Sequence, residues 1–263
     1  MFKGFIMKYF NKKTLLIGAC VLVIVLLFST FFIGKDEVEN QEEKKPVEEP
    51  SAVPTSYMIE GVPVLKQESP LNAGCETYAC TMLLQSLGID MDEFEFAENY
   101  LVEKTVFGYE DDWYGPDMDS AYAGEIEWGY GVNSPAMAKF MNKMLKDKGS
   151  KMTATALKGV ELDTLCEDYI ANNIPVMVWA TTNMQEPYVK RYWSVNYVDE
   201  EVSDAKIGDT EQWLQNEHCL VLIGYDEKNY YFADSVAGEV SVFEKETSRD
   251  KYQKLEMQAI VVK

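Results

Sequence analysis

The 263-residue chain holds a single histidine, His218, so any chemistry that needs an imidazole must run through that one ring. Basic residues are scarce: 24 Lys and Arg stand against 44 Asp and Glu, for a formal net charge of -20. That balance excludes a nucleic-acid partner, because binding a phosphate backbone relies on Lys and Arg to neutralise it. Cysteines number five, with no even, closely spaced framework, so a disulfide scaffold is not expected. No Cys-x-x-Cys pair suggests a zinc site. No Gly-rich Lys-Ser/Thr motif suggests a nucleotide site. Internal repeats are absent as well.

What is present divides the chain into four parts. Residues 1–13 carry Lys3, Lys8, Lys12 and Lys13. Thr14 to Gly34 is an uncharged apolar run that includes Cys20, long enough to cross a bilayer as one helix. Asp36, Glu37 and Glu39 follow it, so the positive-inside rule puts the N-terminus in the cytoplasm and the rest of the chain outside. A cleaved signal would have a shorter apolar core and a small-residue exit; a lipoprotein signal would place its apolar run before Cys20, not after it. An uncleaved anchor is therefore expected. Residues 35–56, rich in Glu and Lys with Pro46, Pro50 and Pro54, read as an extended tether. Residues 57–263 are long enough for one well-buried domain.

Within that domain the apolar stripe Ala79, Cys80, Met82, Leu83, Leu87 predicts a helix over 76–87, stopped by Gly88. A second helix is expected over 92–103. Phe107 to Gly131, rich in Gly, Asp and aromatics, reads as a long loop. Ser134 is expected to cap a helix with Pro135 in its first turn, running to about Lys146. A further helix over 162–172 feeds a buried strand, 175–180. Strands are expected over 218–224, 229–233, 239–243 and 258–262. Helices first and antiparallel strands later define an α+β architecture.

Three residues stand out chemically. Cys75, in Asn72-Ala-Gly-Cys-Glu, falls just before the first helix, where the dipole and free N–H groups should lower its pKa and favour thiolate. The same amides could hold an oxyanion. Most cysteines beside an apolar helix are packing residues, and Cys80, Cys166 and Cys219 keep that reading. His218 opens an apolar strand, a setting in which histidine is usually incidental, yet it is the only base available to a cysteine nucleophile. Asp234 ends the following strand and could lie beside the imidazole, although an aspartate there is commonly a turn residue. Glu110-Asp-Asp112 with Asp117 and Asp119 does not have EF-hand spacing, so no metal is expected. Met137, Met141 and Met144 read as core.

Four stretches resemble the papain-like cysteine peptidases related to the bacteriocin-processing peptidases, in the stand-alone bacterial branch that lacks a transporter. They are Gly61-Val-Pro-Val-Leu-Lys-Gln67, similar to the family's opening strand; Gly74-Cys-Glu-Thr-Tyr-Ala-Cys-Thr-Met-Leu-Leu84, similar to the nucleophile helix; Ile174-Pro-Val-Met-Val-Trp179; and His218-Cys-Leu-Val-Leu-Ile-Gly-Tyr-Asp226 followed by Asp234. The resemblance implies a papain-like fold, with Cys75 as nucleophile, His218 as base and acid, Asp234 orienting the imidazole and Gln67 donating to the oxyanion. It departs at Ser235, where the family commonly has proline, and in the Phe107-to-Gly131 insert. The expected activity is peptide or amide hydrolysis on a peptide or protein substrate outside the cell, without a cofactor. The same residues also suit a transglutaminase-like acyl transfer, and a non-catalytic surface-binding module of this fold is a third reading.

Overall fold

A computed structural model describes residues 54–263. The expected membrane span, 14–34, and nearly all of the tether lie outside the described residues. Among the described residues no helix is long and apolar enough to cross a membrane.

The domain is α+β, built on an antiparallel sheet of seven strands. Its strands are β1 (Tyr57–Met58), β6 (Ala154–Lys158), β7 (Val176–Thr181), β10 (Glu217–Tyr225), β11 (Asn229–Asp234), β12 (Glu239–Glu244) and β13 (Gln258–Val262). The order is β12-β11-β10-β7-β13-β6, with β1 paired to the far end of β10. β7 and β10 have continuous apolar sequence because both of their faces are covered. Met177 and Trp179 of β7 pack on one side with α1 (Cys75–Ser86) and α3 (Ser134–Asp147). Val176, Val178 and Ala180 pack on the other with α4 (Leu162–Asp168) and the α5 (Lys245–Lys254) residue Tyr252. The strand period of two thus sorts one sequence into two cores. Met137, Met141 and Met144 are fully buried in the first core, and Cys80, Cys166 and Cys219 are buried in one core or the other.

Several sequence expectations are corrected. The helix expected over 92–103 is only α2 (Glu93–Asn99), capped by Asp92 accepting from the Glu95 amide, and Glu103–Lys104 form β2 instead. Residues 162–172 hold α4 followed by a separate 3₁₀ turn, Ile170–Asn172. Ser134 is inside its helix, not its cap: Asn133 occupies the cap position, and the Ser134 hydroxyl is buried without a partner among the described residues. Gly61 to Gln67 forms no strand. The Phe107–Gly131 loop contains β3 (Phe107–Tyr109), β4 (Asp112–Pro116) and β5 (Tyr122–Ala123). β3 and β4 join β8 (Tyr188–Tyr197) and β9 (Thr210–Gln215) in a second sheet, order β3-β4-β8-β9. Asp117 and Asp119 serve the turn between β4 and β5: Asp117 accepts from the Ser120 hydroxyl and Asp119 from the Asn133 side-chain Nδ2.

The second sheet leads directly into the first. Asn216, at φ 74°, makes the left-handed step from β9 to β10, a conformation asparagine tolerates. Trp213 near the end of β9 is thereby brought beside Glu217 and His218 at the start of β10, along the same cleft.

Candidate active site

The cleft has a volume of about 160 Å³ and is bordered by Gln67, Cys75, Glu76, Glu217 and His218, with Tyr130 and Trp213 as aromatic walls. Cys75 is the first residue of α1, placed there by a compact turn. The Tyr122 hydroxyl donates to the Ala73 carbonyl at 2.6 Å, and the Gly74 amide to the Leu71 carbonyl at 3.1 Å. A Cβ on Gly74 would stand 3.2 Å from both Ile126 and Leu71, so a larger residue there would have to push these neighbours back by a few tenths of an ångström.

His218 and Asp234 come from adjacent antiparallel strands. His218 Nε2 lies 2.8 Å from Asp234 Oδ1, with both residues buried. Asp234 is held by four partners in all: Oδ1 also accepts from the Val236 and Ala237 amides, and Oδ2 accepts from the Ser241 hydroxyl at 2.8 Å. Burial alone would raise the Asp234 pKa; the bond to His218, its charge and the Ser241 and Ala237 donors outweigh it and hold the carboxyl below its ordinary range. Ser235 follows this acid, and its hydroxyl donates to Gln67 Oε1 at 3.3 Å.

Gln67 therefore ties the two halves of the site together. Its backbone amide donates to the Ser235 carbonyl, while Nε2 donates to the carbonyls of Leu71 and Asn72 at 3.1 and 2.9 Å.

Cys75 departs from the sequence expectation. Its thiol donates to Glu76 Oε2 at 3.3 Å, and among the described residues no hydrogen bond joins it to His218. Burial pushes the thiol pKa well up, and the charges of Glu76 and Glu217 push it further; the Cys219 amide opposes them and does not prevail. The helix end favours thiolate, but burial of the sulfur, reinforced by the charges of Glu76 and Glu217, outweighs it.

Sequence reasoning missed Glu76 and Glu217. Glu76 is 1% exposed, its Oε1 accepting from the Val132 amide at 2.8 Å. Glu217 Oε1 is shut away from solvent and has no partner among the described residues. Burial raises both carboxyl pKa values; for Glu217 the charge of Glu76 adds to the rise, and the Trp213 side chain partly offsets it. Position carried the only signal: each acid directly adjoins a candidate residue, Glu76 following Cys75 and Glu217 preceding His218.

A raised carboxyl pKa means that the folded chain binds its proton more tightly than the unfolded chain. Stability then falls as pH rises above the ordinary glutamate value of 4.5 and through the folded value. Glu217→Gln removes that penalty. Its melting temperature is expected to exceed that of the parent by a margin that widens from pH 5 to pH 8; a margin that is constant with pH would show that Glu217 is not destabilised by its charge.

Residues 59–260 match the Peptidase_C39 like family. No curated protein matches. Among solved structures, the chain is similar to a Bacillus anthracis protein described as a C39-like peptidase, at 22% identity and TM-score 0.65, covering 79% of this chain and 97% of that one. The peptidase domain of Streptococcus ComA, a bifunctional ABC transporter of a quorum-sensing pathway, aligns at 11% identity and TM-score 0.42 over 77% and 98% of the two chains. Xylellain, a cysteine protease from Xylella fastidiosa, aligns at 12% and 0.39 over 81% and 87%. The class is that of a cysteine peptidase. The chain belongs to the Peptidase_C39 like family.

Proposed function

We propose that this is a membrane-tethered peptidase that cleaves peptide or protein substrates outside the cell, with Cys75 as nucleophile, His218 as base and acid, Asp234 as orienter and Gln67 as oxyanion donor. The anchor is the uncharged run 14–34, oriented by the lysines that precede it. The observation that carries the catalytic reading is the 2.8 Å contact between His218 Nε2 and Asp234. It occupies one ring nitrogen with a buried carboxylate and leaves Nδ1 for the cleft that Cys75 also borders.

In this mechanism the sulfur first turns from Glu76 toward His218. Nδ1 takes the thiol proton as sulfur attacks the substrate carbonyl carbon. The Cys75 amide, a first-turn donor with no partner inside its helix, receives the oxyanion. Gln67 joins it by giving up its bond to the Asn72 carbonyl. His218 returns the proton to the departing amine, then removes a proton from the water that hydrolyses the thioester.

The test is a peptidyl probe with a thiol-reactive end group, followed by peptide mass spectrometry. Among the described cysteines Cys75 is expected to carry all of the label, because Cys80, Cys166 and Cys219 are at most 2% exposed. Labelling of another cysteine in its place, or of none, would remove the assignment.

A further inference from the structure

Resting on the proposed peptidase reading, we propose that Glu217, backed by Glu76, forms a subsite beside Cys75 for the basic side chain of a lysine or arginine in the substrate peptide. Four features converge on it. Glu217 borders the cleft, and its Oε1 is buried with no donor among the described residues. A buried carboxyl oxygen in that state gains most from a charged donor, and an ammonium or guanidinium group is the strongest donor a peptide can offer.

Charge is the second feature. Glu76 and Glu217 approach one point: a Cβ on Gly131 would stand 2.6 Å from Glu76 Oε1 and 3.2 Å from both Glu217 carboxyl oxygens. Among the described residues no lysine or arginine borders the cleft, and the one group of positive character there is His218, whose charge acts on Glu76. Glu76 already accepts from the Val132 amide and the Cys75 thiol, which makes it the second charge and Glu217 the contact.

The third feature is the wall. Tyr130 and Trp213 meet edge to face with ring centroids 5.1 Å apart, and both border the cleft. Aromatic faces suit the methylene stem of lysine or arginine and attract the cation at its tip. Gly131 is the fourth. At φ 104° it occupies backbone space open to glycine, and any side chain would collide with the Glu76 carboxyl.

A cation here also bears on the nucleophile. Glu76 and Glu217 are two of the causes that hold the Cys75 thiol protonated, and an arriving positive charge offsets both.

The experiment uses the full-length chain and a matched set of tripeptidyl acyloxymethyl ketones. Each has alanine at two positions and lysine, norleucine or glutamate at the third, moved through all three. The rate of mass addition at Cys75 is followed by peptide mass spectrometry. At one position lysine is expected to react at least about tenfold faster than norleucine, with glutamate slowest. In Glu217→Gln the lysine-to-norleucine ratio at that position should fall to about one. The parent ranking decides the proposal by itself, and the variant assigns it to Glu217. Equal rates for lysine and norleucine at every position, with Cys75 still labelled, would overturn the subsite alone. Failure of every probe to label Cys75 in the folded chain would overturn the nucleophile assignment and the subsite with it.

Discussion

Cys75→Ala and His218→Ala are each expected to reduce peptide cleavage by roughly 10³-fold or more, and the double variant to be scarcely worse than either. Neither residue contributes alone, because sulfur without a base stays a protonated thiol and the base without sulfur has nothing to activate. The raised pKa of the Cys75 thiol sharpens the expectation, since little thiolate exists at neutral pH unless His218 takes the proton. Asp234→Asn should fold and keep activity above the Cys75→Ala background, because the Val236 and Ala237 amides and the Ser241 hydroxyl still hold the side chain while the imidazole loses its anionic partner. The release of new amino termini from a mixed peptide pool measures all four chains. Additive losses in the double variant would mean that Cys75 and His218 act independently, and the catalytic unit would not exist.

The second large effect concerns stability. Trp179→Ala is expected to cost about 3–5 kcal/mol in urea unfolding. Trp179 is fully buried in the core beneath α1, and its indole N–H donates to the Val132 carbonyl at 3.0 Å. Truncation leaves both a cavity and an orphaned buried carbonyl. Trp179→Phe separates the two: most of the ring volume remains, so the loss should shrink to about 1–3 kcal/mol. The damage should also reach the cleft. Val132 is gripped from two sides, by Trp179 through its carbonyl and by Glu76 through its amide, and Gly131 is its neighbour. A loss below about 1 kcal/mol for Trp179→Ala would contradict the packing.

The long, uniformly apolar elements were legible because burial on both faces writes itself into sequence. α1 and the strands β7, β10 and β13 lie within a residue or two of where their apolar runs put them. β3, β4 and β5 were not legible: strands of three, five and two residues, rich in Gly, Asp and aromatics, have no alternation long enough to register. Their strand character comes from tertiary partners, above all the parallel pairing of β4 with β8. At the site, the resemblance implied joint roles for Cys75, His218, Asp234 and Gln67; Cys75, His218 and Gln67 border one cleft, and Asp234 lies against His218. Sequence could not show where the thiol's hydrogen bond goes. A helix N-terminus is a local feature that can be read from sequence, whereas Glu217 arrives from a distant strand and acts on the sulfur only through folding. Local electrostatics predicted a thiolate; burial of the sulfur reverses the sign, with the charges of Glu76 and Glu217 adding to it.

The bond from the Cys75 thiol to Glu76 bears on how long the nucleophile survives. Peroxide and other oxidants attack the thiolate and carry it through sulfenic acid to forms that cannot be recovered. A sulfur kept protonated by its burial and by the charges of Glu76 and Glu217 offers little of that reactive form at rest. The four described cysteines are all free, so Cys75 has no disulfide to shelter in. In an oxidising compartment the same acids that slow the resting thiol act as its preservative, keeping the sulfur reduced until a substrate draws it toward His218.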